Sequence, residues 1–377
     1  MKIVLKIGIV LNYKTAEKKK DELYCVKSKE WLNILNNKEY NKYVITRNNK
    51  RCVPADVAIG AFLEHYNKLY QNENISLEID YIHPDDISVQ RFSQNHINYI
   101  IIYDLLESFH LNKKGFENYR FVLKNSPNVY PPYEYQKFIN NKCTYYKYLA
   151  EKKIPVAPTH CITKEKWLKK DNEHYVNKIL KKVKSNKWES IITKPVYGQE
   201  SKDFAKFIKG SSEINKSKLT SYLSKNIPKY KSIVIQEYIP GFDKSNPEYR
   251  MYFIDGVYAY CVITTSDNVT TPAQEGGKTR VPAKNWRYLL SFSKKVMESL
   301  PKFNLPGNLK NPILTRIDIG SGLQGVPFTY FVNEVEFVPS LYIEDNNNFP
   351  VVEEIAKSLL EVAMCYYTNN LPIKVKF

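Results

Sequence analysis

The stretch from 313 to 342, ILTRIDIGSGLQGVPFTYFVNEVEFVPSLY, constrains the fold more than any other. Two apolar runs flank a glycine-rich turn, and each run carries acids inside a strand pattern. Asp318 lies in the first; Glu334 and Glu336 lie in the second. Successive strand residues point to opposite faces, so Glu334 and Glu336 share one face while Val335 and Phe337 take the other. If the runs pair as a hairpin, Asp318 can lie beside them. Three carboxylates crowded in water-poor surroundings repel unless a cation neutralises them. A hard divalent ion with oxygen ligands suits such a set. An edge hairpin with solvated acids satisfies the same spacing, and only the rest of the chain separates the two readings.

At 377 residues the chain exceeds the size at which a single core stops growing, so two or three domains are expected. An apolar share of 43% and 30 tyrosines argue for packed cores rather than disorder. A net charge of +17 predicts attraction to polyanions: nucleotides, nucleic acid, acidic peptides or anionic surfaces. The cysteines Cys25, Cys52, Cys143, Cys161, Cys261 and Cys365 are scattered with no CxxC pair. That spacing argues against a zinc ribbon or a disulfide framework, and it leads us to expect reduced thiols and a cytoplasmic location. No HExxH occurs, which argues against a zinc hydrolase. The opening MKIVLKIGIVLNY reads as a first buried strand rather than a leader, because Lys6 interrupts the apolar run. The longest apolar run, 97–106, is too short to span a bilayer, so no membrane partner is expected.

Residues 1 to about 125 alternate strand-like and helix-like patterns, which predicts a mostly parallel sheet covered on both faces. Helical spacing over 54–70 and strands over 2–11, 77–82 and 97–103 carry that reading. No GxGxxG is present, so a Rossmann-type dinucleotide fold is not supported. The proline-rich NSPNVYPPYEY at 125–135 reads as a domain boundary. A helix is expected over 135–152 with Tyr145, Tyr146 and Tyr148 in its core. Residues 163–187 form a basic helical stretch, read as a solvated face rather than a nucleic-acid site. ESIITKP, a Gly198 turn and DFAKFI predict a hairpin with Lys194 inside an apolar strand, where an ammonium calls for an anion. Asp255-Gly256 between apolar runs is the clearest hairpin signal. A polar loop over 265–280, a helix over 285–300, the acidic hairpin and a closing helix over 351–366 complete the chain.

Several segments, taken in order, resemble the ATP-grasp superfamily, and its carboxylate–amine ligases in particular: D-alanine–D-alanine ligase, glutathione synthetase and the RimK-like ligases. NNKCTYYKYLAEKKIPVAPT is similar to the lysine-and-helix segment that precedes an extended strand. ITKPVYGQESKDF resembles the phosphate-loop hairpin, VIQEYIPG the hinge strand, TRIDIG the first metal strand and FVNEVEFVPS the second. The resemblance covers about 131–345. It implies an N-terminal parallel-sheet α/β domain (1–130), followed by a two-lobed α+β ATP-grasp domain with antiparallel sheets: a small lobe (131–239) and a large lobe (240–377).

The resemblance also assigns roles. Lys142 would lie on the nucleotide phosphates, Lys194 would hold the α and β phosphates, and Gly198 and Ser201 would lie in a loop whose N–H groups cover them. Gln236 with the backbone of Glu237 and Ile239 would line adenine. Glu248, with Asp243 as competitor, would meet the ribose. Arg316 would contact phosphate or simply pair with Asp318. Lys278 and Arg280, in a Gly-rich loop, would meet the γ-phosphate or an acidic substrate, or remain solvated. Asp318, Glu334 and Glu336 would bind magnesium, two ions in this reading, with manganese as a substitute. The implied activity is amide or peptide bond formation from ATP through an acyl phosphate, with amino-acid or peptide substrates, acidic ones favoured by the basic balance, and a homodimer allowed.

Three departures stand out. The phosphate loop reads GQESK instead of a glycine-richer version, Glu336 stands where asparagine is commoner, and Pro339-Ser340 replaces Pro-Gly. The last change argues against D-alanine as acceptor. Two other readings stay open at this stage: an ATP-grasp kinase of a phosphorylated polyol, and a basic nucleic-acid-binding protein on a decayed core.

Overall fold

The computed structural model describes residues 3–11, 23–25, 41–47, 49–69, 75–100, 113–169, 172–197, 203–209, 214–240, 247–265, 273–275, 283–305, 308–322, 330–342, 350–369 and 373–377. The N-terminal part is built on a parallel sheet in the spatial order Ile75–Ile82, Ile3–Val10, Ile97–Tyr99, Val129–Tyr130. Parallel strands need crossovers, and the Ala55–Leu69 helix is one of them. Leu5, Ile7 and Ile9 are wholly buried, and the helix packs its Ala58, Ile59 and Phe62 into the same core. The Val351–Asn369 helix lies against Ala55–Leu69 and ties the chain's two ends together. Tyr99 Oη donates to the Leu359 carbonyl at 2.5 Å, and Tyr24 Oη to Glu353 at 2.6 Å.

A second sheet is antiparallel, in the order Ala205–Ile208, Ser190–Pro195, Ser232–Glu237, Thr159–Thr163. Alternation sorts its faces. Ile162, Ile191, Ile233 and Ile235 point into an apolar core closed by Trp167, Val176, Ile179, Leu219 and Leu223. The opposite face carries Thr159 and Cys161, Ile192 and Lys194, Val234 and Gln236. Cys161, Val234 and Lys194 form one cross-strand row, and Thr159, Gln236 and Ile192 form the next.

The third sheet is also antiparallel: Ala273–Glu275, Val257–Thr265, Glu248–Ile254, Leu314–Ser321, Tyr330–Glu336. The Asp255-Gly256 turn behaves as its sequence predicts, with φ of 48° and 78°. A side chain at Gly256 would also run into Asn311, whose Nδ2 lies 2.2 Å from the place of a Cβ.

Three expectations are corrected. The helix foreseen over 135–152 is two helices, Tyr133–Asn140 and Lys142–Glu151. Asn141 breaks it: its backbone is extended, and its side chain accepts from Thr144 N at 3.1 Å, capping the second helix. Within the loop foreseen over 265–280, Ala273–Glu275 is a strand paired to Val257–Thr265. The cysteines are not all reduced, because Cys25–Cys52 and Cys143–Cys161 are disulfides, while Cys261 and Cys365 belong to neither. Spacing along the chain hid both pairs. Cys25 and Cys52 face each other across an antiparallel ladder, and Cys143 reaches Cys161 only because its helix packs on the sheet face that Cys161 occupies. No described helix is long and apolar enough to cross a membrane.

Candidate active site

Strand register decides what meets what. Arg250 pairs with Asp318, and Asp318 with Glu334, so these three form one row across three strands. Tyr252, Arg316 and Glu336 form the next row. Glu248 lies two residues before Arg250 and takes the same face. A bulge after Asp318 shifts the register of the ladder beside the acids. The carboxylate oxygens of Asp318, Glu334 and Glu336 lie within 4.8 Å of one another.

Arg316 holds this group together. It is 5% exposed, and its Nε and Nη2 reach the two oxygens of Asp318 at 2.7 and 2.8 Å. The same Nη2 also reaches Glu336 Oε1 at 2.7 Å. Glu248 is equally enclosed: it accepts from Asn333 Nδ2 at 2.7 Å, Arg250 Nε at 3.1 Å and Thr264 Oγ1 at 3.2 Å. Arg250 in turn donates to the Tyr342 hydroxyl.

The Lys142–Glu151 helix brings the cations. Its first turn abuts the end of the Lys194 strand, where Lys142 N donates to the Val196 carbonyl at 3.3 Å. Lys142 Nζ meets Glu334 Oε1 at 2.5 Å. One turn on, Tyr146 accepts a hydrogen bond from Lys194 Nζ at 3.0 Å and donates to the Asn333 carbonyl at 2.5 Å. The Cys143–Cys161 bond fastens this helix to the face that carries Lys194 and Gln236.

Four cations (Lys142, Lys194, Arg250, Arg316) thus surround four acids (Glu248, Asp318, Glu334, Glu336). The acids respond differently. Burial pushes the Glu336 carboxyl up to about 7 against the pull of Arg316, with Glu334 and Asp318 adding repulsion. Burial acts on Glu334 too, but the Lys142 and Lys194 ammoniums overcome it and hold the carboxyl down at about 2. Burial and the neighbouring Asp318 raise Glu248. Closely spaced carboxylates with opposite shifts are a common mark of a functional site.

On the hinge strand, Gln236 is 1% exposed, and its Nε2 donates to Thr159 Oγ1 at 2.9 Å and to the Ala157 carbonyl at 3.4 Å. Glu237 N donates to the Pro158 carbonyl, and Ile239 packs on Ala157 and Phe331, the latter from the Glu334 strand. Gly198, Ser201, Asp243, Lys278 and Arg280 lie outside the described residues.

The structure therefore brings Lys142, Lys194, Arg316, Asp318, Glu334, Glu336 and Glu248 into one constellation, with Gln236, Glu237 and Ile239 along the adjoining hinge strand. Sequence reasoning missed Arg250, Asn333, Tyr342 and the polar end of Tyr146. For Arg250 a signal existed, since it stands two strand positions after Glu248. For Tyr146 the four-residue step from Lys142 was the cue.

Solved structures share this arrangement of sheets. A D-cycloserine synthetase superposes with a TM-score of 0.60 at 15% identity, covering 95% of this chain and 99% of the other. D-alanine–D-alanine ligase from Bacillus anthracis superposes at 0.57 and 12% identity, over 97% of this chain and 100% of that one. The fold is ATP-grasp. The ATP complex of the Bacillus anthracis ligase matches the same ATP-grasp architecture at 0.54 and 13% identity, over 97% of this chain and 99% of that one. No protein-family profile matches the sequence, and no curated protein sequence matches it.

Proposed function

We propose that this chain is an ATP-dependent carboxylate–amine ligase that joins an amino-acid or peptide carboxylate to an amine. One observation carries the reading: Asp318, Glu334 and Glu336 converge beside Arg316, Lys142 and Lys194, in a fold shared with ligases of that type. The nucleotide would lie between the sheet of residues 131–239 and that of residues 240–377.

The donor set suits a hard divalent ion, having three oxygen-bearing acids and no thiol or imidazole. Asp318, Glu334 and Glu336 would hold magnesium, which when bound supplies charge neutralisation on the phosphates. Lys142 and Lys194 bind phosphate oxygens from the opposite side. Arg316 stabilises charge on the transferring phosphoryl group, the main catalytic need of such a transfer. Gln236 commits its N–H₂ end to Thr159, which suits its carbonyl end to an adenine amino group. The backbone of Glu237 and Ile239 reads the base edge, and Glu248 takes the ribose hydroxyls. Lys278 and Arg280 keep the role that the sequence suggests, toward the γ-phosphate or an acidic substrate.

In the first step a substrate carboxylate oxygen bonds to the γ-phosphorus as the bond to ADP breaks. In the second, an amine adds to the acyl carbon and inorganic phosphate leaves. Water must be kept from the acyl phosphate in between. The test is a screen of amino-acid pairs with Mg²⁺ and ATP, read by phosphate release and mass spectrometry. Phosphate release with a condensed product supports the ligase. A phosphorylated product without phosphate release would make it a kinase. Salt-sensitive nucleic-acid binding with no turnover on any pair would overturn the enzyme reading.

A further inference from the structure

Tyr146 has a buried ring, 2% exposed, which is ordinary for a helix packed between two sheets. Its hydroxyl is not ordinary. It accepts from Lys194 Nζ at 3.0 Å and donates to the Asn333 carbonyl at 2.5 Å, one residue before Glu334. The Lys194 ammonium also lies 5.5 Å from the centroid of the same ring. Its neighbours in the cross-strand row, Val234 and Cys161, offer it no anion, and Glu334, the carboxylate on which its charge acts, is ion-paired to Lys142. A lysine side chain has many rotamers, and a free one must be ordered whenever an anion binds.

We propose that Tyr146 is a positioning residue for Lys194. Its hydroxyl holds the ammonium beside the strand that bears Glu334 and Glu336, and so sets the affinity of the site for the α- and β-phosphates. The inference rests on the nucleotide-site reading above and adds a residue to it. It also explains why Lys142 and Tyr146 sit one turn apart. One face of a single helix supplies the cation that meets Glu334 and the hydroxyl that holds Lys194.

The experiment uses wild type, Tyr146→Phe, Lys194→Ala and the double variant. The probes are the β,γ-imido analogue of ATP with Mg²⁺, and adenosine, both by calorimetry. Phenylalanine fills the volume of the tyrosine ring. Loss of the hydroxyl should weaken the triphosphate analogue about 3- to 10-fold, the factor for re-ordering one long side chain. Adenosine, which lacks the phosphates that Lys194 addresses, should bind Tyr146→Phe as it binds wild type. In the Lys194→Ala background the same change should do almost nothing to the analogue. An equal loss in both backgrounds, an equal loss for adenosine, or no loss at all would overturn the role of Tyr146. Wild type that binds neither probe would instead overturn the nucleotide-site reading, and this inference with it.

Discussion

The two antiparallel sheets on either side of the Lys142–Glu151 helix handle charge in opposite ways. On the Ser190–Pro195 sheet, Lys194 stands in a row with Val234 and Cys161 and gives its hydrogen bond to a tyrosine on another element. On the Leu314–Ser321 sheet, every charge in the two rows has a charged neighbour: Arg250 beside Asp318 beside Glu334, and Arg316 beside Glu336. The first arrangement leaves a cation with no carboxylate in its own sheet row, facing Glu334 of the other sheet, which Lys142 already pairs. The second is a closed network that a cation can enter only by competing with arginine. A charge on a strand is thus structural or ligand-seeking according to its cross-strand neighbours, which alternation alone does not reveal.

The largest effect should come from opening the closed network. Arg316→Met leaves Asp318 and Glu336 buried without the guanidinium that bonds both, with only Arg250 nearby, and should cost about 3–5 kcal/mol of stability. Urea unfolding measures it, and a loss under about 1 kcal/mol would mean that the network does not hold the sheet. Asp318→Asn keeps the shape but removes one charge from the acid group. Turnover of ATP should fall about 10²- to 10³-fold, and near-normal turnover would remove Asp318 from the chemistry.

Lys194→Ala tests the open side. Nucleotide affinity should fall about tenfold or more, the scale of one lost charge-assisted hydrogen bond. Stability should move by less than about 1 kcal/mol, because no buried charge is stranded. The reverse pattern, with stability lost and affinity kept, would erase the contrast between the sheets.

The smallest effect is a pH dependence. The Glu336 carboxyl is raised from 4.5 to about 7, chiefly by burial. Between those values the folded protein binds more protons than the unfolded one, so the metal-free protein should lose stability as pH rises through that window. A divalent ion needs the ionised form. Mg²⁺ affinity should therefore climb as pH passes upward through about 7, with a slope of about tenfold per pH unit below it. A flat calorimetric profile would place Glu336 outside the metal site.

Much of this was legible because it is local. The i, i+2 step that puts Glu334 and Glu336 on one face, the Asp255-Gly256 turn and the apolar strand around Lys194 are all short-range patterns, and the structure keeps each of them. Arg250 stands two residues after Glu248, yet its meeting with Asp318 depends on the register of two strands that are 60 or more residues apart in the chain. Tyr146 was read as core and its ring is core. Buried tyrosines carry a polar end, however, and where that end goes is a tertiary fact.

By itself the sequence determined which residues alternate, where turns occur and which acids share a face, because backbone geometry repeats every two or 3.6 residues whatever the surroundings. Only the tertiary structure decided which arginine neutralises which acid, which cysteines join and what holds Lys194. Those outcomes depend on distances between segments far apart in the chain, and on the cost of leaving a buried charge unpaired once they are brought together.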